Sequence, residues 1–508
     1  MSVNSLQPRW PWIMLCVAIA SAAVAARGGV RSAELLADMP EYSHITMSAV
    51  SADCRNVAMV VGDATGKPTL LLNGKPIATG QDIPLAVISP DGKRLAYVVR
   101  EATGKWHAVV DGVAGETYDS LRGVLGDNLN FTVADRFAFS ADSKHLAYVG
   151  QKEDKQFVVM DSKAESQHER VLTGDPDDGR MGYVLFSPDG RRYAYVTLDT
   201  TRDSATQTLI VDGNKFKTGA FGYVSFSPDS KHIAYDFIDD VLVNHFYVDD
   251  KEIGHCRFGR GPVISDDGKH TVYAEDGERL NTSHIVLDGK EGPRIAQMSR
   301  YSSPSHFVAL DVEQLTFSPD GKHLAFDQQE PAGPSHVSHI NLDGVEGKEE
   351  YVVVGNLTFS PDSRDLACAA MGGVMGGPPE WRIVLNGKDG QTFDFVLPPV
   401  FSPDSKHLAY AARKAGKWAV VLDGQTITTY EAIISRVAAD DVDRAPGWVD
   451  AQGTLLEKIE PNPFEAFSTP YRFDSDGNLI FLGSSAGGKI FRVKWKPDDG
   501  LPPATTRP

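Results

Sequence analysis

The sequence predicts an all-β fold, a β-propeller of four-stranded antiparallel blades, and three observations carry that prediction. A decapeptide, FSPDSKHLAY at 401–410, has near-copies starting at 88, 139, 186, 226, 264, 317 and 359, and weaker ones at 50 and 473. That makes about ten repeats, eight clear and two weak, with starts mostly 38 to 53 residues apart and one gap of 72 before the last. Such a period marks a solenoid, a propeller or an array. A second string, a β-branched run ending in Asp-Gly or Asn-Gly, follows most copies, and no convincing helical pattern interrupts the two.

Within one repeat each element has a physical reason. An apolar residue leads into Ser-Pro-Asp-Gly/Ser, where Pro presets φ, Asp and Ser bond nearby amides, and Gly tolerates φ > 0. The LAY run after the turn reads as a buried strand. The second strings are LLLNG at 70–74, AVVDG at 108–112, LIVDG at 209–213, HIVLDG at 284–289, HINLDG at 339–344, RIVLNG at 382–387 and AVVLDG at 419–424. Asp-Gly and Asn-Gly between strands favour a two-residue type I′ hairpin, whose central residues both need φ > 0. A further short run, such as TITTYEAII at 426–434, leads to the next repeat. Four short strands form a sheet with exposed faces and edges, and radial stacking of such sheets buries both.

Residue by residue, FSPDG/S-K-x-LAY resembles the WD40-like propeller repeat of the TolB type, also found in propellers attached to prolyl-oligopeptidase-like peptidases. The resemblance covers about residues 45–495. It implies a propeller used for protein–protein interaction, and the chain shows neither the α/β domain that precedes the TolB propeller nor a peptidase domain.

The flanks read differently. Arg9, the apolar run WIMLCVAIASAAVAA at 12–26 and the small-x-small site Ala23-Val24-Ala25 predict a signal peptide over 1–25 and an exported, periplasmic or extracellular protein. The propeller is expected over 32–496, and KPDDGLPPATTRP reads as a disordered tail over 497–508. The last repeat offers three strands ending at KIFRVKW (489–495), so residues about 32–44 are expected to complete its sheet. One ring of ten and two smaller rings are both compatible with the repeats.

Composition narrows the partners. Lys+Arg 50 against Asp+Glu 68 gives a net charge of −18, and loss of Arg9 makes it −19. An acidic surface without a basic stripe argues against nucleic acid. No segment after the signal is apolar enough to span a membrane. Cys54, Cys256 and Cys368 are too few and scattered for a disulfide framework; Cys368, in place of the strand Tyr, reads as a small buried apolar residue.

Constellations that carry chemistry elsewhere fit structural roles here. Gly483-Ser484-Ser485-Ala486-Gly487 matches a nucleophile elbow, but lacks the strand-turn-helix context the elbow needs. Asp474–Asn478 resembles the start of a calcium loop, yet aligns with the repeated turn and has Ser485 where the loop needs Glu. His145, His232, His270, His323 and His407 share one repeat position, so a ring distributes them and they cannot converge on one ion. Trp106, Trp381 and Trp418 share another and read as packing residues. Asn130, Asn281 and Asn356 head N-x-S/T sequons.

Loop length points to a binding face. With strands A to D per repeat, the SPDG turn (A–B) and the DG turn (C–D) lie on one face, and the variable B–C and D–A connections on the other. Insertions LDTTRDSATQ (198–207), QQEPAGPSHVSH (328–339), AMGGVMGGPPEW (370–381) and a long one over roughly 436–468 read as loops there. Candidate binding residues are His336, His339, Trp381, Asp440, Asp441, Asp443 and Trp448. No catalytic residue, metal ligand set or cofactor is assigned. The leading expectation is a non-catalytic interaction or scaffold propeller for a protein or cell-envelope component. A hydrolase or lyase with its site at the central channel is one alternative, and a small-ligand or carbohydrate sensor another.

Overall fold

The computed structural model describes residues 31–497 except 39–43, 52, 63–66, 122–136, 172–183, 201–204, 222, 240–242, 257–261, 277–281, 297–314, 333–334, 374–379, 431, 434–470 and 486–488. The expected signal peptide, and the tail beyond 497, lie outside the described residues. Ten antiparallel sheets follow one another and form a single ten-bladed propeller. Blades 1 to 9 span 44–79, 82–118, 120–168, 170–218, 224–256, 263–296, 316–346, 353–389 and 395–430. Blade 10 takes three strands from 432–495 and its fourth from the start of the chain. There Arg31–Asp38 pairs antiparallel with Lys489–Trp495, so Arg31 faces Trp495 and Asp38 faces Lys489.

Every one of the ten motif starts is the last residue of a strand A: Val50, Ile88, Phe139, Phe186, Phe226, Ile264, Phe317, Phe359, Phe401 and Phe473. The turn that follows is built the same way in blades 1 to 9. In blade 9 the Ser402 hydroxyl donates to Asp404 Oδ1 (2.6 Å), Asp404 Oδ1 accepts the Lys406 amide, and Ser402 Oγ accepts the His407 amide. In blades 2 to 9 the turn aspartates lie below the usual carboxylate range: the Ser140 hydroxyl, then Lys144, depresses Asp142, and Ser227, then Lys231, brings Asp229 to about 2. At the C–D turns the expected left-handed pairs appear, for example Asn73 (φ 50°) with Gly74 (φ 76°) and Asp423 (φ 49°) with Gly424 (φ 74°). Blade 3 makes the same turn with Asp161 (φ 48°) and Ser162 (φ 66°).

A clamp joins the two turns of a blade. His145 Nδ1 lies 2.7 Å from Asp161 Oδ2, while Asp161 Oδ1 accepts the Leu146 amide. His232–Asp249, His270–Asp288, His323–Asp343 and His407–Asp423 repeat the contact at 2.7 to 2.8 Å. This is the work of the five histidines at one repeat position. Blades 2 and 4 use Arg instead: Arg94 and Arg192 donate from Nε to Asp111 and Asp212 and from Nη1 to carbonyls of the next blade's turn. Blade 8 exchanges the roles, Asn386 Nδ2 donating to Asp365 Oδ1 at 2.7 Å, and blade 1 pairs Asn73 with Asn56.

Blades are joined by turn and core together. Where the fifth turn residue is Ser, its hydroxyl accepts the Asp amide of the preceding blade: Ser143 from Asp91, Ser230 from Asp189, Ser363 from Asp320 and Ser405 from Asp362. Strand B is apolar and buried on both sides in blades such as 1 and 9, as Val57–Val61 and Ala409–Ala412 show. The core is therefore a circle of seams, one cluster running through blades 1 to 3 and another through blades 8 to 10. At the closing seam Arg492 Nε of blade 10 donates to the Asp53 carbonyl of blade 1 at 3.2 Å. One closed ring, not two, accommodates all ten repeats.

The clamps differ in burial, and that yields a graded test. His407 and Asp423 side chains are 9% and 0% exposed, against 43% and 41% for His145 and Asp161. His407→Ala, which strips the ring from a buried carboxylate, is expected to cost about 2–3 kcal/mol, and His145→Ala under about 1 kcal/mol. Denaturant melts of the two variants check this; equal losses would show that burial does not set the clamp's strength.

Candidate binding face

Two faces follow from the register. Strand B starts at the A–B turn and ends at the B–C turn, and strand C returns to the C–D turn, so both clamped turns share one face. Arg55, Lys93, Lys144, Arg191, Lys231, Lys269, Lys322, Arg364 and Lys406 ring that face, with side chains 69% to 84% exposed. Each cation lies within 4 Å of its own turn aspartate, so the ring carries no net positive field.

The opposite face carries the length variation, in a form that corrects the loop expectation. Residues 328–339 continue the blade 7 sheet, with strand B running Leu324–Ala332 and strand C Ser335–Leu342. Pro331 pairs with His336 at the far end of that ladder. Blade 4 lengthens in the same way, Tyr193–Thr200 against Ala205–Val211. In blade 8, residues 370–372 and 380–381 are also strand, and 374–379 lie outside the described residues. Extending a paired ladder satisfies the added amides that face the partner strand, which a free loop leaves to solvent.

In blades 3, 4 and 10 the long insertions do not leave from the D–A corner either, while residues 297–314, between blades 6 and 7, lie outside the described residues. Those three insertions split strand A, next to the axis. In blade 3, Ser120–Leu121 and Phe137–Phe139 both pair with Leu146–Lys152, Leu121 opposite Gly150 and Phe137 opposite Tyr148. Blade 4 divides between Val171 and Leu185, and blade 10 between Ile433 and Tyr471. Blades 1, 2 and 8 bulge in strand A, between Ile45 and Met47, Asp82 and Leu85, and Gly355 and Thr358. A kink of strand A thus recurs round the ring, and three blades use it as an exit.

The candidate binding residues separate. Trp381 is 6% exposed and packs edge-on against Phe395 at 5.7 Å, in the seam between blades 8 and 9. It is a core residue, as its repeat position implies, and offers no surface to a partner. Trp106 and Trp418 are buried likewise. His336 sits in strand C of blade 7, while His339 is 6% exposed inside that blade, so the two are not a surface pair. Asp440, Asp441, Asp443 and Trp448 lie outside the described residues, as do Asn130 and Asn281. Ser484 is a strand residue opposite Ala432 and Ile490, and Asp474 is a turn carboxylate that accepts the Asp476 and Asn478 amides.

Sequence reasoning passed over two features. Blade 7 buries polar side chains where other blades have aliphatic ones: Asn341 Nδ2 donates to Gln328 Oε1 (2.8 Å), Gln328 Nε2 to Glu346 Oε2 (2.6 Å), and the Ser338 hydroxyl to Asp327 Oδ2 (3.3 Å). His339 Nδ1 and Asn341 Oδ1 are buried and have no hydrogen-bond partner among the described residues. The departure of LAFDQQ from LAYVVR was its signal. In blade 5, His245, Glu252 and His255 converge on the outer strands. A bulge between Phe246 and Tyr247 places His255, rather than Gly254, opposite His245. The same bulge follows the C–D turn in blades 1 to 4, 6 and 9, so it belongs to the repeat.

Burial raises the Cys54 thiol to about 11, and burial with the nearby Asp327 and Asp389 charges pushes Cys368 higher still.

No protein-family model matches the chain, and no curated protein does. Solved structures are similar to it. One described as the eukaryotic initiation factor matches with a TM-score of 0.41 and 11% identity, over 80% of this chain and 98% of its own. TolB from Acinetobacter baumannii matches with a TM-score of 0.25 and 16% identity, over 55% and 76%. The β-propeller domain of the trilobed protease from Pyrococcus furiosus matches with a TM-score of 0.31 and 12% identity, over 66% and 95%.

Thiol labelling at pH 8 with peptide mapping tests the burial of the cysteines. Cys54, Cys256 and Cys368 are expected to label only after denaturation; rapid labelling of any one in the folded protein contradicts the assignment.

Proposed function

We propose that this protein is an exported, non-catalytic propeller that binds another protein or a cell-envelope component through the face carrying the extended B–C hairpins. One observation carries the reading: the turn face is tied down by the same clamp geometry in nine blades, while extended hairpins and strand A exits gather opposite. Variable segments on a rigid scaffold are where recognition is built. The buried polar seam under the longest hairpin supports the same side, because polar groups set into a core cost stability that packing alone does not return. Cations neutralised by their own turn aspartates speak against a phosphate-backbone partner.

The test replaces Glu330–Val337 by Asn-Gly, which leaves Gln329 and Ser338 closing a two-residue turn. Partners captured from an envelope extract by the full chain are expected to be lost with this variant and kept with Lys269→Glu/Lys322→Glu on the turn face. Capture that ignores the hairpin, or turnover of a polysaccharide or peptide panel by the full chain, would overturn the reading.

A further inference from the structure

We propose that His245, Glu252 and His255 form a binding site for a divalent transition metal of the zinc class on the outer edge of blade 5. All three project from one hairpin, strand C (Asn244–Val248) and strand D (Lys251–Cys256). His245 Nδ1 is 2.9 Å from Glu252 Oε1, and His255 Nδ1 is 3.4 Å from the same oxygen. Zinc bonds of about 2.0–2.2 Å at tetrahedral angles set ligand atoms about 3.3 Å apart. The hairpin already holds its donors at nearly that spacing, and the His245–Glu252 pair needs only a small outward adjustment. Two imidazoles and a carboxylate are a donor set for zinc and its neighbours rather than for calcium or magnesium.

The surroundings make an independent second observation. Asp239 Oδ2 stands 3.2 Å from His245 Nε2, on the far side of the ring from Glu252. A carboxylate on the remote nitrogen fixes the tautomer that leaves Nδ1 free to ligate, the arrangement behind most metal-bound histidines. The Tyr247 hydroxyl donates to the other Glu252 oxygen, Oε2, at 3.3 Å, so the ligating carboxylate is oriented too. Facing this group from blade 4 is the Lys217 ammonium, which rests 3.5 Å from the centre of the Tyr247 ring. His255 is 66% exposed in its side chain, so solvent ions reach the site and a fourth position stays open to water.

The bulge in strand D creates the site. Without it Gly254 would face His245, and the second imidazole would point away. In this reading the ion staples strand D to strand C at the rim of the blade.

Isothermal titration of the chelator-treated full chain with zinc chloride, alongside thermal melts, tests the proposal. One zinc per chain is expected, with a rise in melting temperature that magnesium does not reproduce. His255→Ala and Glu252→Gln, both at exposed positions, should abolish that binding event and the rise while leaving the metal-free melt unchanged. Asp239→Asn, which acts only through His245, should weaken the same event about 10- to 100-fold. Absence of zinc binding, or binding that survives both His255→Ala and Glu252→Gln, overturns the assignment.

Discussion

A four-stranded blade has two apolar faces, and in this protein each face is covered only by a neighbouring blade. Ala58 and Val60 reach into the seam shared with blade 2, and the same pattern continues through Ala369 and Val420 on the far side of the circle. Stability in such a stack is nearly a sum of neighbour terms. An open end would leave one whole seam exposed. The pairing of Arg31–Asp38 with Lys489–Trp495, and the Arg492 contact to Asp53, close that last seam. The order of every other strand depends on this closure.

The two faces of the ring are under different constraints. On the turn side, a serine, an aspartate, a His or Arg and a second aspartate satisfy one another within a blade, and Ser143, Ser230, Ser363 and Ser405 extend the bonding to the preceding blade. A residue added there breaks several hydrogen bonds at once. On the other side, lengthening strands B and C adds paired residues without disturbing the seam below, as blades 4 and 7 demonstrate. Strand A offers a second outlet because its kink already interrupts the ladder. Variation collects where it disturbs least, and that leaves the face with the most diverse chemistry.

The clamp shows how one geometry accepts several chemistries. Its partners are a ring nitrogen and a carboxylate in five blades, a guanidinium and a carboxylate in two, and amides in blades 1 and 8. Blade 8 reverses acceptor and donor, Asp365 with Asn386, and so keeps the hydrogen bond. The substitutions come in matched pairs along one chain, which marks them as a single contact. The pairs are visible in the sequence to a reader who compares the residue after the turn lysine with the Asp or Asn of the following C–D turn.

What the sequence determined by itself is everything that rests on contacts a few residues apart. The SPDG and DG strings set turn type, and with it the end of each strand A, the direction of each strand B and the side on which the turns lie. Burial of Trp106 and Trp418 also followed, since a large apolar residue at one repeat position has one environment. Tertiary structure decided what depends on pairing between distant or irregular segments. It chose a single ring of ten, ran strands through Pro331 where composition suggested a loop, opened strand A for the insertions, and turned Trp381 from a candidate surface residue into a seam. It also set His255 beside His245 through one extra residue in a strand. The same extra residue follows the C–D turn in blades 1 to 4, 6 and 9, but which side chains it sets face to face is decided by cross-strand register, which no contact between near neighbours in sequence fixes.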